Sequence, residues 1–123
     1  MIFIDTSALI DSLCVPRRSF DRLEMLIASS EQIGLSTLVL YEWLRGPRTS
    51  GELLDQERVF PREEAILWGP VDAARAADLY KLVHRPRARE IDIAIAASAM
   101  VHNASLWTLD PRDFEDIPGL KLV

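Results

Sequence analysis

The spacing of apolar and polar positions changes period several times along the chain, and each change marks an element. Met1–Ile4 is a short apolar run of strand formers and predicts a buried strand. Asp5-Thr6-Ser7 ends that run with three residues that can each cap a helix; Ala8–Leu13 continue as a short helix, stopped by Pro16. Phe20, Leu23, Leu26 and Ile27 share one face of a helix predicted over 19–29. Ile33–Leu35 predicts a strand. Ser36 then caps a helix over Thr37–Arg45, which Gly46-Pro47 ends. Residues 50–60 predict a short helix and Glu64–Trp68 a third strand, and Pro70 occupies the first turn of a helix reaching about His84. A basic loop, Arg85-Pro86-Arg87-Ala88-Arg89, leads into a helix over Glu90–His102 that is apolar on nearly every face, with Asn103 as its left-handed stop. Leu106–Leu109 predicts a strand and Leu120–Val123 a last edge strand.

Strands alternating with helices imply a parallel sheet covered on both faces. The expectation is a single domain over residues 1–123, a three-layer α/β/α fold with a central, mostly parallel sheet.

Composition narrows the classes. With 123 residues, 49% of them hydrophobic and 27% charged, the chain can bury a core without disulfides. No apolar run reaches the length of a membrane span, and the opening eleven residues lack the basic start of a signal peptide, so a cytoplasmic protein with no membrane partner is expected. One cysteine and two distant histidines, His84 and His102, exclude an intramolecular disulfide and make no zinc site. A net charge of −5 argues against holding nucleic acid by bulk positive charge. It leaves room for a nuclease, because clustered carboxylates supply much of the sum and bound metal would cancel it.

Most of the nineteen acids fall among polar residues on helix surfaces. Four stand in apolar company. Asp5 and Asp110 each follow a predicted strand, at the edge where open α/β sheets bind ligands. Alone, Asp5 also reads as a helix cap and Asp110 as an Asp-Pro turn. Glu42 lies within Leu38-Val39-Leu40-Tyr41-Glu42-Trp43-Leu44, a helix expected to be buried on most sides, where it also reads as a partner for Arg45 or Arg48. Asp92 heads the most apolar helix of the chain. An unpaired carboxylate there costs roughly several kcal/mol, so it calls for a partner or a metal. A first-turn acid favoured by the helix dipole is the ordinary alternative, and Glu90 fills that place better. Asp113, three residues after Asp110, either caps a turn or joins the site.

Carboxylates forced together do not all stay ionised without a cation. An oxygen-only set favours Mg²⁺ or Mn²⁺ over zinc. Such sites act on phosphates, and without a GxxxxGK[ST] or GxGxxG loop the natural remaining chemistry is phosphodiester hydrolysis. Arg17, Arg18, Arg45, Arg48, Arg85, Arg87 and Arg89, in or beside loops, read either as a grip on a phosphate backbone or as ordinary surface charge.

Four blocks of the sequence resemble PIN-domain ribonucleases. They are Ile2-Phe3-Ile4-Asp5-Thr6-Ser7-Ala8-Leu9, then Ser36 through Gly46, then Ile91-Asp92-Ile93-Ala94-Ile95-Ala96-Ala97, then Leu106-Trp107-Thr108-Leu109-Asp110-Pro111-Arg112-Asp113-Phe114, followed by an Ile117-Pro118-Gly119-Leu120 ending. Their order spans nearly the whole chain, and its short length resembles VapC-type toxins of VapBC toxin–antitoxin pairs. The resemblance implies a Mg²⁺- or Mn²⁺-dependent endoribonuclease cutting structured RNA, commonly tRNA or ribosomal RNA, a VapB-type antitoxin partner and a homodimer. It carries Asp5, Glu42, Asp92 and Asp110 onto the acidic positions, Asp113 as a fifth candidate, and Thr6 and Thr108 onto hydroxyl positions beside the site. Two positions depart from the pattern: Asp110 stands where Asn is common, and Asn103 where a helix-ending Gly is common.

Two other readings use the same residues. A phosphoacceptor receiver domain also has an acidic Mg²⁺ pocket, but needs an adjacent acid pair after its first strand and a late lysine; this chain has Asp5-Thr6-Ser7 and only Lys81 and Lys121. A catalytically silent module of the same fold could use Tyr41, Trp43 and Trp68 as interface anchors, although it would have no reason to bear the desolvation of four acids. A flap nuclease would need helical arches that this chain has no room for.

Overall fold

The computed structural model describes residues 1–123, and its architecture is set by one apolar strand with parallel neighbours on both sides. Strand β1 (Ile2–Ile4) pairs with β2 (Ile33–Gly34) and with β3 (Ser105–Trp107), both parallel, in the order β2-β1-β3. All three β1 residues are buried, as a central strand covered on both faces requires. Helices α1 (Thr6–Leu13) and α2 (Phe20–Ala28) carry the chain from β1 to β2. Helices α3 (Thr37–Arg45), α4 (Ser50–Val59), α5 (Pro70–Leu82) and α6 (Glu90–Val101) carry it from β2 to β3. The core gathers Phe3, Ile4, Leu9, Leu13, Leu23, Trp43, Ile93, Ile95, Leu106, Trp107 and Phe114.

The two outer strands contract to single bridges. Glu64–Trp68 is not a strand: Arg62–Glu64 forms a 3₁₀ turn, and only Ile66 pairs, with its N–H donating to Leu35 O at 2.8 Å and its carbonyl accepting Thr37 N–H at 2.9 Å. Trp68 N–H then turns to the Thr37 hydroxyl at 3.2 Å, which takes the segment off the sheet before Pro70 opens α5. Leu120–Val123 likewise keeps one bridge, Leu106 to Leu122. Strand β3 stops at Trp107, because Thr108 turns its hydroxyl to Asp5.

Local signals hold at most ends. The Ser36 hydroxyl accepts Val39 N–H at 3.2 Å, and Asn103 adopts φ +53, the left-handed stop. Thr49 and Glu52 form a reciprocal capping box on α4. Gly46 ends α3 in extended geometry, not left-handed. Gly34 lies under the Ile66 and Phe3 side chains: an added Cβ would sit 2.6 Å from Ile66 Cδ1 and 3.3 Å from Phe3 Cε1, so Ile66 would have to shift.

Burial corrects two helices. On α3 only Val39 and Trp43 are buried, and Tyr41 is 54% exposed, because the helix lies on the outside and packs through one face. On α2 only Leu23 is buried, and Ile27 faces solvent. Helix α6 is interior as expected, with Ile93 and Ile95–Ala99 buried. No helix is long and apolar enough to cross a membrane.

Candidate metal centre

Parallel strands place their carboxyl ends on one edge, and the acids collect there. Asp5 directly follows β1, and its N–H donates to Trp107 O at 2.8 Å, tying it to the end of β3. Helix α6 finishes where β3 begins, at the opposite edge, so its first turn and Asp92 return to the carboxyl edge. Helix α3 starts just after β2, which brings Glu42 to the same side.

Asp5 is 5% exposed, and it does not use its side chain as a helix cap. Its Oδ2 accepts two hydroxyls instead, from Thr108 at 2.8 Å and Ser7 at 3.0 Å. Burial pushes its pKa upward against those bonds and that of the Thr6 backbone, with the Glu42 charge adding to the rise. The Thr108 hydroxyl also accepts Asp110 N–H at 3.0 Å, and Ser7 accepts Leu109 N–H at 3.0 Å. Two hydroxyls thus pin the loop after β3 onto Asp5.

Glu42 takes both of its ordinary and its site-like partners. Oε1 accepts the Thr6 hydroxyl at 2.6 Å, and Oε2 accepts Arg45 Nη2 at 3.3 Å. Arg48, the alternative partner, instead lies 4.3 Å from the Trp43 ring centroid and donates to Trp43 O.

Asp92 is half-buried, and its pKa is pushed up to about 6, first by burial and then by the charges of Asp5, Asp113 and Glu42, against a lowering by Arg89. The charges of Asp5, Asp113 and Glu42 therefore all bear on Asp92, and that of Glu42 bears on Asp5. Asp110 and Asp113 are both exposed on the segment after β3, and the charge of Asp113 adds to the rise at Asp92. Asp113 closes the 3₁₀ turn Pro111–Asp113 that Asp110 precedes, so both acids stand on the segment that Thr108 and Ser7 tie to Asp5.

The carboxylates are close enough to couple but do not close into a cage, since no three acidic, histidine or cysteine side chains are arranged to hold an ion as they stand. The donor chemistry nonetheless fits a hard divalent cation. Every contributing group is a carboxylate or hydroxyl oxygen, and both hydroxyl bonds to Asp5 fall on Oδ2, so neither occupies Oδ1. The largest cavities, about 450 and 440 Å³, are apolar grooves elsewhere, against α2 and between α5 and α6, and none of the acids lines them. The acid cluster is an open edge.

The remaining expectations separate. Thr6 and Thr108 both stand at the site. Ser7 was not singled out from the sequence; its signal was only its place in Asp5-Thr6-Ser7. Of the seven arginines, Arg45 is paired with Glu42, Arg48 is held on Trp43, Arg17 stacks on Phe20 and Arg89 is bonded to Asp116, so these four are engaged within the chain. Trp43 is fully buried and cannot anchor an interface, and the Trp68 indole N–H donates to Ala94 O. Neither lysine makes an ion pair with the acids: Lys81, in the last turn of α5, lines the groove between α5 and α6, and Lys121 lines a cavity with Arg75 and Asn103 at the amino edge of the sheet.

Comparison with known proteins bears on the family and the fold. The family described as PIN domain matches residues 2–120. Ribonuclease VapC19 of Mycobacterium tuberculosis is 35% identical, with 98% of each chain covered. The fold is shared with DNA-bound VapBC from Salmonella typhimurium, at a TM-score of 0.78 and 19% identity over 99% of this chain and 96% of that one. It is shared also with VapBC2 from Rickettsia felis bound to a promoter DNA fragment, at 0.76 and 22% over 100% and 98%.

Proposed function

The chain belongs to the PIN-domain family, and from that premise we propose that it is a metal-dependent endoribonuclease, the toxin of a toxin–antitoxin pair, cutting structured RNA such as tRNA or ribosomal RNA. The observation that carries the reading is the bearing of the Asp5, Asp113 and Glu42 charges on a half-buried Asp92 at the carboxyl edge, in a chain 35% identical along its length to a ribonuclease.

Asp5 and Asp92 are the principal ligands of a Mg²⁺ or Mn²⁺ ion in this reading, with Asp113 holding a further position directly or through water. Bound there, the ion would lower the pKa of a water and stabilise charge on the phosphoryl oxygens. The chain's own residues do the rest. Thr108 and Ser7 fix the Asp5 carboxylate on Oδ2. Thr6 fixes Glu42 by Oε1, which sets that carboxylate to orient the attacking water or take its proton. Burial of Asp5 and of half of Asp92 keeps the acids dry enough for their charges to act strongly. An open edge suits a polymer that must lie across the site.

A VapB-type antitoxin that masks this edge and a toxin homodimer complete the proposal; two structures sharing the fold are VapBC complexes. The test is cleavage of total tRNA and ribosomal RNA by purified protein with Mg²⁺ or Mn²⁺, with and without chelator. Metal-dependent scission that Asp5→Asn and Asp92→Asn each abolish supports the reading. Full activity in both variants overturns it.

A further inference from the structure

Arg89 makes more directed contacts than any other charged side chain near the site, and none goes to a proposed ligand's carboxylate. It is the residue that opens α6, three positions before Asp92, and it makes no side-chain cap. Its guanidinium instead reaches across to the C-terminal segment. Nη2 donates to Asp116 Oδ1 at 2.6 Å and to the backbone carbonyl of Asp113 at 2.9 Å. Nη1 donates to Asp116 Oδ2 at 2.9 Å and, at the 3.5 Å limit, to His84 O. The fork-on-fork pairing with Asp116 fixes the guanidinium plane, and that plane aims the remaining N–H at Asp113.

The consequence is geometric. Asp113 sits in an exposed 3₁₀ turn, tied to the site through the Asp110 N–H before it and packed on the core through Phe114 and Ile117 after it. Asp92 sits on α6, and like charges on the two acids push the turn and the helix apart. Arg89 spans the gap with a bond to the turn's own backbone. We propose that Arg89, oriented by Asp116, is a positioning residue that holds Asp113 against the first turn of α6 and so sets the separation of the Asp92 and Asp113 carboxylates. This inference rests on the reading of those acids as a metal centre. A lysine could supply the charge but not the fork, and so could not bond Asp116 through both oxygens while reaching Asp113.

The test is Mn²⁺ affinity of the full chain without RNA, read by electron paramagnetic resonance alongside thermal unfolding. Asp116→Asn replaces one of the fork's two acceptor oxygens with a donor and removes its charge, while leaving the proposed ligands intact. It is expected to weaken Mn²⁺ binding about tenfold, the low end for partners that orient metal ligands. Arg89→Lys is expected to weaken it comparably. Asp116→Glu, which keeps a two-oxygen acceptor, should restore it. Glu115→Gln, a neighbouring exposed acid outside the clamp, controls for lost charge and should leave it unchanged. If the wild type binds Mn²⁺ and Asp116→Asn binds it equally well while folded, the clamp is refuted and the metal reading stands. Equal weakening by Glu115→Gln refutes the clamp as well, because the effect would then be charge alone. If the wild type binds no Mn²⁺, the metal reading fails and the inference with it.

Discussion

The Thr108 hydroxyl donates to Asp5 Oδ2 at 2.8 Å and, with the same oxygen, accepts the Asp110 backbone N–H at 3.0 Å. One buried hydroxyl thereby joins the ends of β1 and β3 and turns the chain toward Asp113. Thr108→Val removes both bonds at nearly constant volume. It is expected to cost about 1–3 kcal/mol of stability, since Asp5 loses a buried partner, and to lower RNA cleavage on the order of tenfold. Thr108→Ser should recover most of both, and denaturant titration with a cleavage assay checks the pair.

The two candidate acids of the last segment are predicted to be unequal. The charge of Asp113 adds to the rise at Asp92, and the Asp113 backbone is the one Arg89 holds, at 2.9 Å. Asp113→Asn should therefore weaken Mn²⁺ binding on the order of tenfold or more, and Asp110→Asn by under about threefold. Titration of each variant decides it, and the reverse order would mean that Asp110 swings in when metal binds.

Asp92 is predicted to reduce the stability of the metal-free fold. Its folded pKa of about 6 lies above the ordinary 3.8. Between those values the folded chain keeps a proton that the unfolded chain has lost, so stability falls as pH rises through that window and the loss is complete above it. Asp92→Asn escapes this. Without divalent metal at pH about 7.5 the variant should be more stable by about 1–2 kcal/mol, the shift being discounted for partial exposure. The advantage should vanish near pH 4. Melting curves across that range test the sign, and a destabilised variant at neutral pH contradicts it.

The same proton competes with metal. Below pH about 6 Asp92 is mostly protonated before metal binds, so Mn²⁺ affinity should fall by roughly tenfold per unit as pH drops further. Titration at two pH values on each side of 6 reads this directly. A flat profile would remove Asp92 from the ligand set.

The sequence carries the fold in its periodic stretches and the site in its misplaced acids, and both readings weaken where a side chain overrides the backbone. Glu64–Trp68 has a strand's composition, yet Thr37 takes the Trp68 N–H and ends the pairing after one residue. Apolar runs marked α6 correctly as interior, but the less apolar α3, also expected to be buried on most sides, lies on the outside with Tyr41 in solvent, because burial depends on how many faces find neighbours. Asp5, Glu42 and Asp92 were visible as charges among apolar residues. Asp116 and Ser7 were not, because an exposed acid near a chain end and a serine in a cap sequence look ordinary until Arg89 and Asp5 are seen beside them. The proposed preference for Asp113 over Asp110 likewise rests on a 3₁₀ turn of three residues, too short to leave a period.

The central claim is that Asp5 and Asp92 bind one divalent ion between them. A crystal of the wild-type protein soaked in Mn²⁺ and measured at the manganese absorption edge tests it most directly. The account predicts an anomalous peak with oxygen atoms of both carboxylates about 2.0–2.5 Å away, and with Asp113 bonded to it directly or through water. A peak bound elsewhere, or Asp92 turned away from an ion held by Asp5 alone, would contradict it.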